Sequence, residues 1–235
     1  MKKIFLSLMA AVAVLTTSVT TAKAADLELG ADLVSSYVWR GAYTTGASFQ
    51  PNITLGLGDF SIGAWGSTPI GFSSDADGIG AKEVDFSLGY AIGDFSIGLT
   101  DYWWSGQGLS YFEDHYFEAT LAYYFGDKFP LTLAVSTMFA GADKDEVTGD
   151  QLYSTYIDLS YGFAIKDVDC AFGVGVSPMN GAYTGAYDDE FSVCSISLSA
   201  AKSIPVTPTF DLPVFVQAIV SPSTNDAFLV FGLSF

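Results

Sequence analysis

The sequence predicts an all-β protein: a transmembrane antiparallel up-and-down β-barrel, with twelve strands as the expected count and ten as the alternative. Three observations lead to this fold class. The chain ends in an alternating apolar strand that closes on Phe235, it begins with an apolar leader, and its turn signals separate short connections from long ones in alternation. Together these features are typical of closed barrels that cross a bilayer.

The first 24 residues have the organisation of a secretory signal peptide. A basic start is followed by an apolar run at 4–15 and by small residues at Ala22 and Ala24, which form a cleavage motif. We therefore expect a leader at 1–24 and a single mature barrel domain at 25–235, located in the bacterial outer membrane. No later segment supplies the roughly 18 uninterrupted apolar residues that a spanning helix needs.

Twelve segments of the mature chain alternate between apolar residues and polar or small ones, which is the pattern of a strand with two different faces. In one of them, Val84, Phe86 and Leu88 alternate with Glu83 and Asp85. In chain order, the predicted strands cover 27–40, 49–58, 60–67, 83–91, 95–103, 115–124, 131–139, 152–163, 170–177, 191–200, 214–220 and 227–235.

The connections between these strands alternate in length. Short ones contain the Gly and Asp residues that tight turns favour, and long polar ones lie between them. This alternation predicts short turns and both termini on the periplasmic side, with long loops outside. The connection at 202–213 breaks the alternation because it is long and rich in proline, and it keeps the ten-strand count open. The short connections are 58–59, 92–94, 125–128 and 165–167, and the long ones are 68–82, 104–114, 140–151 and 178–190.

The positions that alternate with the apolar set carry mainly serine, glycine and threonine, and we expect them to face the lumen. Excess carboxylates at such positions would concentrate cations and repel anions. The alternative is a packed interior in which Arg40 pairs with one or two of the acids. The charged candidates for the channel lumen, six acidic and one basic, are Glu28, Asp32, Arg40, Glu83, Asp85, Glu118 and Asp158.

His115 is the only histidine, so a lipid hydrolase with a serine nucleophile would have to use it as the base. Its outward parity with Phe117 and Leu121 instead favours a place at the membrane interface. We therefore predict no enzymatic activity and no cofactor.

Cys170 and Cys194 are the only thiols. Both are predicted to face outward on neighbouring strands, at a separation beyond the roughly 7 Å that a disulfide can bridge. Two free, lipid-facing thiols are the favoured interpretation.

The charge balance limits the partners. The chain has 26 acidic and 9 basic residues, and cleavage of the leader would remove three of the basic ones. Such a surface excludes nucleic acid, because phosphate binding needs basic residues. The expected partners are outer-membrane lipids, the barrel-assembly machinery through the C-terminal strand, and small solutes.

The segment at 32–41, DLVSSYVWRG, followed by Gln50-Pro51 and by GAWGS at 63–67, resembles the opening of the TorF-like putative porin family. The similarity continues through EVDF at 83–86, YWW at 102–104 and YFE at 116–118, over about the first half of the mature chain. This resemblance implies a porin-like barrel for passive diffusion of small solutes. With the acidic lumen it predicts a cation-preferring channel, and a non-conducting structural or surface-interaction barrel is the alternative.

Overall fold

The computed structural model describes residues 25–70, 82–184 and 191–235, and the predicted signal peptide lies outside these ranges. Fourteen strands and one short helix make up the described chain. They are β1 (Asp26–Val34), β2 (Tyr37–Trp39), β3 (Ala42–Thr45), β4 (Ser48–Leu57), β5 (Phe60–Pro69), β6 (Glu83–Ile92), β7 (Phe95–Trp104), α1 (Tyr111–Asp114), β8 (Tyr116–Tyr124), β9 (Leu131–Gly141), β10 (Thr155–Ile165), β11 (Val168–Ser177), β12 (Ser192–Thr207), β13 (Phe210–Ser221) and β14 (Asp226–Ser234).

Twelve of these strands form one closed antiparallel barrel, in the order β1, β4 to β14 and back to β1. At the seam, Asp32 lies opposite Ser234 and Val34 opposite Gly232. The seam continues to the last residue, because the backbone of Phe235 exchanges hydrogen bonds of 3.0 and 3.3 Å with that of Ala31. The predicted twelve-strand barrel is confirmed, and the ten-strand alternative is wrong.

Apolar residues cover the outer face of the barrel wall, and the two acids of β6 lie inside. On β6, Phe86 is 59% exposed while Glu83, three positions away, is 2% exposed. A water-soluble protein of this kind would bury its phenylalanines, so the outward band is suited to contact with lipid.

The connections at 58–59, 93–94, 125–130, 166–167 and 208–209 lie at one end of the barrel together with both ends of the described chain, and we call this the turn end. The opposite, loop end carries the long connections and the short one at 222–225. The prediction for 202–213 was wrong, because β12 and β13 run through it and turn at residues 208 and 209. Beyond Ala201, β12 no longer pairs with β11, so proline is tolerated there as it is on other sheet edges.

The first predicted strand, 27–40, is also too long. β1 ends at Val34, and the chain then forms a separate two-stranded sheet, β2 and β3, before it re-enters the wall as β4. Alternation continues through Tyr37 and Trp39, so the pattern alone does not distinguish a continuing strand from one that leaves the wall.

Cys194 faces the interior, which corrects its predicted outward position. Ser195 pairs with Gly175 and Val193 pairs with Val176, so Cys194 is an extra residue in β12. Such a bulge places two consecutive side chains on the same face and reverses the parity that follows. Both cysteines are free thiols.

Within the described part of the chain, no helix has the length and apolar content needed to cross a membrane.

Candidate functional site

The interior of the barrel holds a β-hairpin formed by β2 and β3, which we call the inner hairpin. Its strands end where Trp39 pairs with Ala42, and Arg40 and Gly41 form the two-residue turn between them. Both turn residues have positive φ, 52° and 87°, as the tightest hairpin turns require. At Gly41 a Cβ atom would overlap the carbonyl oxygen of Cys194 on β12.

The inner hairpin reaches across the lumen. Its base connects β1 to β4. At its tip, the side chain of Arg40 contacts Glu118 on β8 and Tyr156 on β10. Counted round the barrel from β1 through β4, these are the fifth and seventh strands after β1, on the opposite side of the ring. A twelve-strand barrel has a backbone diameter of roughly 24 Å, and five extended residues cover about 17 Å. The hairpin and one long side chain are therefore enough to cross the barrel at the loop end.

Arg40 and Glu118 form a buried ion pair at the hairpin tip. The two guanidinium nitrogens lie 2.5 and 2.9 Å from the two carboxylate oxygens, and the side chains are 3% and 1% exposed. Tyr102 donates a hydrogen bond of 3.0 Å to Glu118, and the Tyr183 hydroxyl donates to its other oxygen. Glu118 is therefore fully satisfied, which a buried charge requires.

Three aromatic rings enclose the same guanidinium. Its carbon lies 4.9 Å from the ring centre of Trp39, 4.6 Å from Tyr156 and 4.8 Å from Tyr183. Burial raises the pKa of Tyr183 above its ordinary value, so this loop hydroxyl stays protonated and remains a donor. Cation–π contacts of this kind strengthen when water is excluded.

The other side of the inner hairpin packs on an apolar part of the wall. Val38 joins Val34, Ile219 and Val230 in one buried cluster, with Phe215 and Phe228 against it. The hairpin is thus held by an ion pair at its tip and by apolar contacts near its base.

Three further buried acids face the lumen without a cation of their own. Glu83, Asp85 and Asp158 are 2%, 8% and 4% exposed. Neither oxygen of Glu83 accepts a hydrogen bond of normal geometry from a described residue, and the same is true of Oδ1 of Asp85. Asp158 is close enough to Arg40 for an electrostatic attraction, but that guanidinium is already paired with Glu118. The described lumen therefore has more acidic side chains than basic ones.

Five of the seven predicted lumen residues are buried in the interior, and the other two lie in β1 between the inner hairpin and the turn end. Asp32 is half-buried below the hairpin, and Glu28 is exposed near the turn end. Arg40 is inside for a different reason from the one predicted, because it stands on the hairpin tip and not on the wall.

Sequence reasoning missed the aromatic part of this site. Tyr102 and Tyr156 point inward and are buried, and Tyr183 comes from a loop. For Tyr156 the signal was available, because it shares the parity of Asp158. Nothing in the local pattern marks Tyr183, whose position depends on the fold of the whole barrel.

Below the inner hairpin, toward the turn end, the inward positions carry small side chains. These small side chains occupy less of the interior than the aromatic and charged side chains beside the inner hairpin do. These inward residues include Ser61, Ser87, Gly89, Ser96, Gly98, Ala122, Ala134, Ser160 and Gly173.

Comparison with known proteins finds a matching family model and a similar solved structure. A family model described as "Bacterial protein of unknown function (Gcw_chp)" matches residues 19–210. A solved structure titled "NanC porin structure in rhombohedral crystal form" is similar, with a TM-score of 0.49 and 10% sequence identity, over 89% of this chain and 98% of that chain. No curated protein matches the chain.

Proposed function

The chain belongs to the Gcw_chp family of bacterial proteins of unknown function, and from this premise and its closed barrel we propose that it is an outer-membrane, porin-like channel for passive diffusion of small solutes, with a preference for cations. The apolar outer surface is consistent with an outer-membrane location. The resemblance of the first half of the mature chain to TorF-like putative porins supports the same function.

The observation that carries the proposal is the uncompensated charge of the lumen. Glu83, Asp85 and Asp158 are buried inside the barrel, where the only described arginine, Arg40, is bound to Glu118. Fixed carboxylates in a confined, low-dielectric passage stabilise cations and exclude anions. The inner hairpin narrows that passage at the loop end, which favours small solutes over large ones.

The second candidate is a non-conducting barrel with a structural or surface-interaction role. The inner hairpin favours it, because a hairpin that crosses the lumen and ends in the bidentate Arg40–Glu118 pair is also what a permanent plug would look like. Electrical recording separates the two candidates.

We assign no enzymatic activity. Nδ1 of His115 lies 2.7 Å from Oδ1 of Asp101, and the ring stacks on Tyr111 with centres 4.7 Å apart. These contacts describe an aromatic and charged cluster on the outer face.

The test is single-channel recording in a planar bilayer under a KCl gradient. We expect conductance steps and a reversal potential that indicates cation preference. Changing Glu83, Asp85 and Asp158 together to Gln, Asn and Asn should move the permeability ratio toward one. Glu118 is left unchanged, because removing it would strand the buried charge of Arg40. Screening at about 1 M salt, where the Debye length is roughly 3 Å, should weaken the preference of the unmodified barrel.

Glu28→Gln is the matched control, since it removes one acidic charge at an exposed position near the turn end. It should leave most of the selectivity intact. Absence of any conductance steps from correctly folded barrel would favour the plugged alternative, and unchanged selectivity in the triple variant would place these carboxylates outside the conducting path.

A further inference from the structure

Four buried oxygen atoms in the wall between β5 and β6 lack a hydrogen-bond partner of normal geometry among the described residues. They are both carboxylate oxygens of Glu83, Oδ1 of Asp85 and Oγ of Ser67. Ser67 lies directly opposite Glu83 on the neighbouring strand, and Asp85 follows Glu83 on the same inward face. Leaving such groups unpaired is costly, so this arrangement is suited to a ligand that donates hydrogen bonds.

The protein itself supplies little to balance the two carboxylates. Two donors, the Tyr37 hydroxyl and the Trp104 indole N–H, are directed at Glu83 without reaching normal hydrogen-bond geometry, and no cationic side chain among the described residues pairs with Glu83 or Asp85. Arg40 is bound through two nitrogens to Glu118. A positively charged ligand would therefore be electrostatically favoured at this position.

Aromatic rings flank the two acids on both sides. Trp65 on β5 and Tyr102 on β7 lie directly opposite Asp85, and Trp104 on β7 lies directly opposite Glu83. Side chains at such positions on one face have Cβ atoms about 4.5–5.5 Å apart. Tyr102 and Trp104 are stacked with ring centres 5.9 Å apart, so they form one continuous aromatic surface beside the carboxylates.

We propose that Glu83, Asp85 and Ser67, with the rings of Trp65 and Trp104, form a binding site for a small organic ammonium ion. The N–H groups of a primary amine match the unpaired oxygens, and its positive charge is attracted both by the carboxylates and by the ring faces. A metal ion is less suited to the site, because the described residues contain no group of three or more His, Cys, Asp or Glu side chains able to hold one. This inference deepens the proposed function, on which it rests, by naming the class of cation that the lumen takes.

The test is isothermal titration calorimetry on the barrel purified in detergent, with n-propylammonium chloride as the probe. We expect saturable binding, and no comparable binding of the uncharged 1-propanol. Glu83→Gln should weaken binding by about tenfold or more, the loss expected for a hydrogen bond to a charged group. Trp65→Leu should weaken it by several-fold, and Trp65→Phe should recover most of that loss because it keeps an aromatic face.

Glu28→Gln is again the control and should bind the amine as the unmodified chain does. Circular dichroism and heat-modifiable migration show whether each variant is folded, and Asp85→Asn replaces Glu83→Gln if the latter is not. Absence of saturable binding, equal binding by Glu83→Gln, or displacement of the amine by an equal concentration of KCl would each overturn the proposal. Because the assay needs no ion flow, binding without conductance would overturn the channel alone, and conductance without binding would overturn this site alone.

Discussion

Gly41 meets two requirements that no other residue type meets together. Its φ of 87° lies in the region that side chains rarely adopt, and its Cα approaches the backbone of β12 so closely that a Cβ would overlap a carbonyl oxygen. Arg40, beside it, also has positive φ, and the pair fixes the direction in which the guanidinium points. The tip of the inner hairpin therefore depends on a single glycine.

Gly41→Ala should destabilise the barrel because it adds both backbone strain and a steric clash. The strain alone costs about 1 kcal/mol, and the clash should raise the total to about 2 kcal/mol or more. The free energy of unfolding, from urea titration in detergent, measures the change. Gly106→Ala is the matched control, since Gly106 also has positive φ, 94°, but a Cβ there would meet nothing within 4 Å. An equal decrease in the free energy of unfolding in the two variants would show that the tip of the inner hairpin is not tightly packed.

At the residue scale, the sequence placed four acids on the inward face, where the structure has them, but did not predict their partners; their role in a channel stays a prediction. Glu83, Asp85, Glu118 and Asp158 follow from parity alone, because each lies in a strand whose opposite face is apolar. Cys194 could not be placed this way, since one extra residue in β12 reverses the faces. A bulge leaves no clear mark in a pattern of period two.

The elements of the wall were predicted more successfully than the element inside it. Strong apolar alternation marks the wall strands because each has an exposed apolar outer face and a small or polar inner face, which imposes a repeated constraint on the sequence. The inner hairpin has no such outer face, and its few residues are constrained only by their individual contacts inside the barrel. The chain at 35–47 therefore looked like the end of a strand and the start of a loop.

β14 closes the barrel, and Phe235, the residue after it, takes part in the seam. Phe235 forms two backbone hydrogen bonds with Ala31, and its ring is 59% exposed on the outer face. Deleting Phe235, or changing it to Asp, should reduce the yield of folded barrel in the outer membrane, because an unpaired strand edge or a charge would then face lipid. Heat-modifiable migration and membrane yield provide the measurement. Phe235→Tyr should assemble normally, and normal assembly of the Asp variant would argue against this role for the seam.

For the whole molecule, the alternation of connection lengths predicts the orientation in the outer membrane. An epitope tag inserted beside Val147, which is 93% exposed in a long loop, should be accessible to antibody on intact cells. A tag at Gly93, in a turn at the opposite end, should become accessible only after the outer membrane is permeabilised. Immunofluorescence before and after permeabilisation checks both. The reverse result would invert the topology and leave the barrel fold intact.

The inner hairpin is also a mechanical brace. A ring of strands joined only to their neighbours can flatten under sideways load, whereas a rigid member across it fixes its diameter. Here the tip is tied to β8 and β10, opposite the base, and further contacts run from Trp39 to Tyr102 on β7 and from Gly41 to β12, almost at right angles to that line. The cross-section is thus held in both directions at the loop end. Toward the turn end, where small side chains line the wall, nothing in the described chain spans the ring, so lateral pressure from the bilayer should deform that half while the loop end keeps its shape.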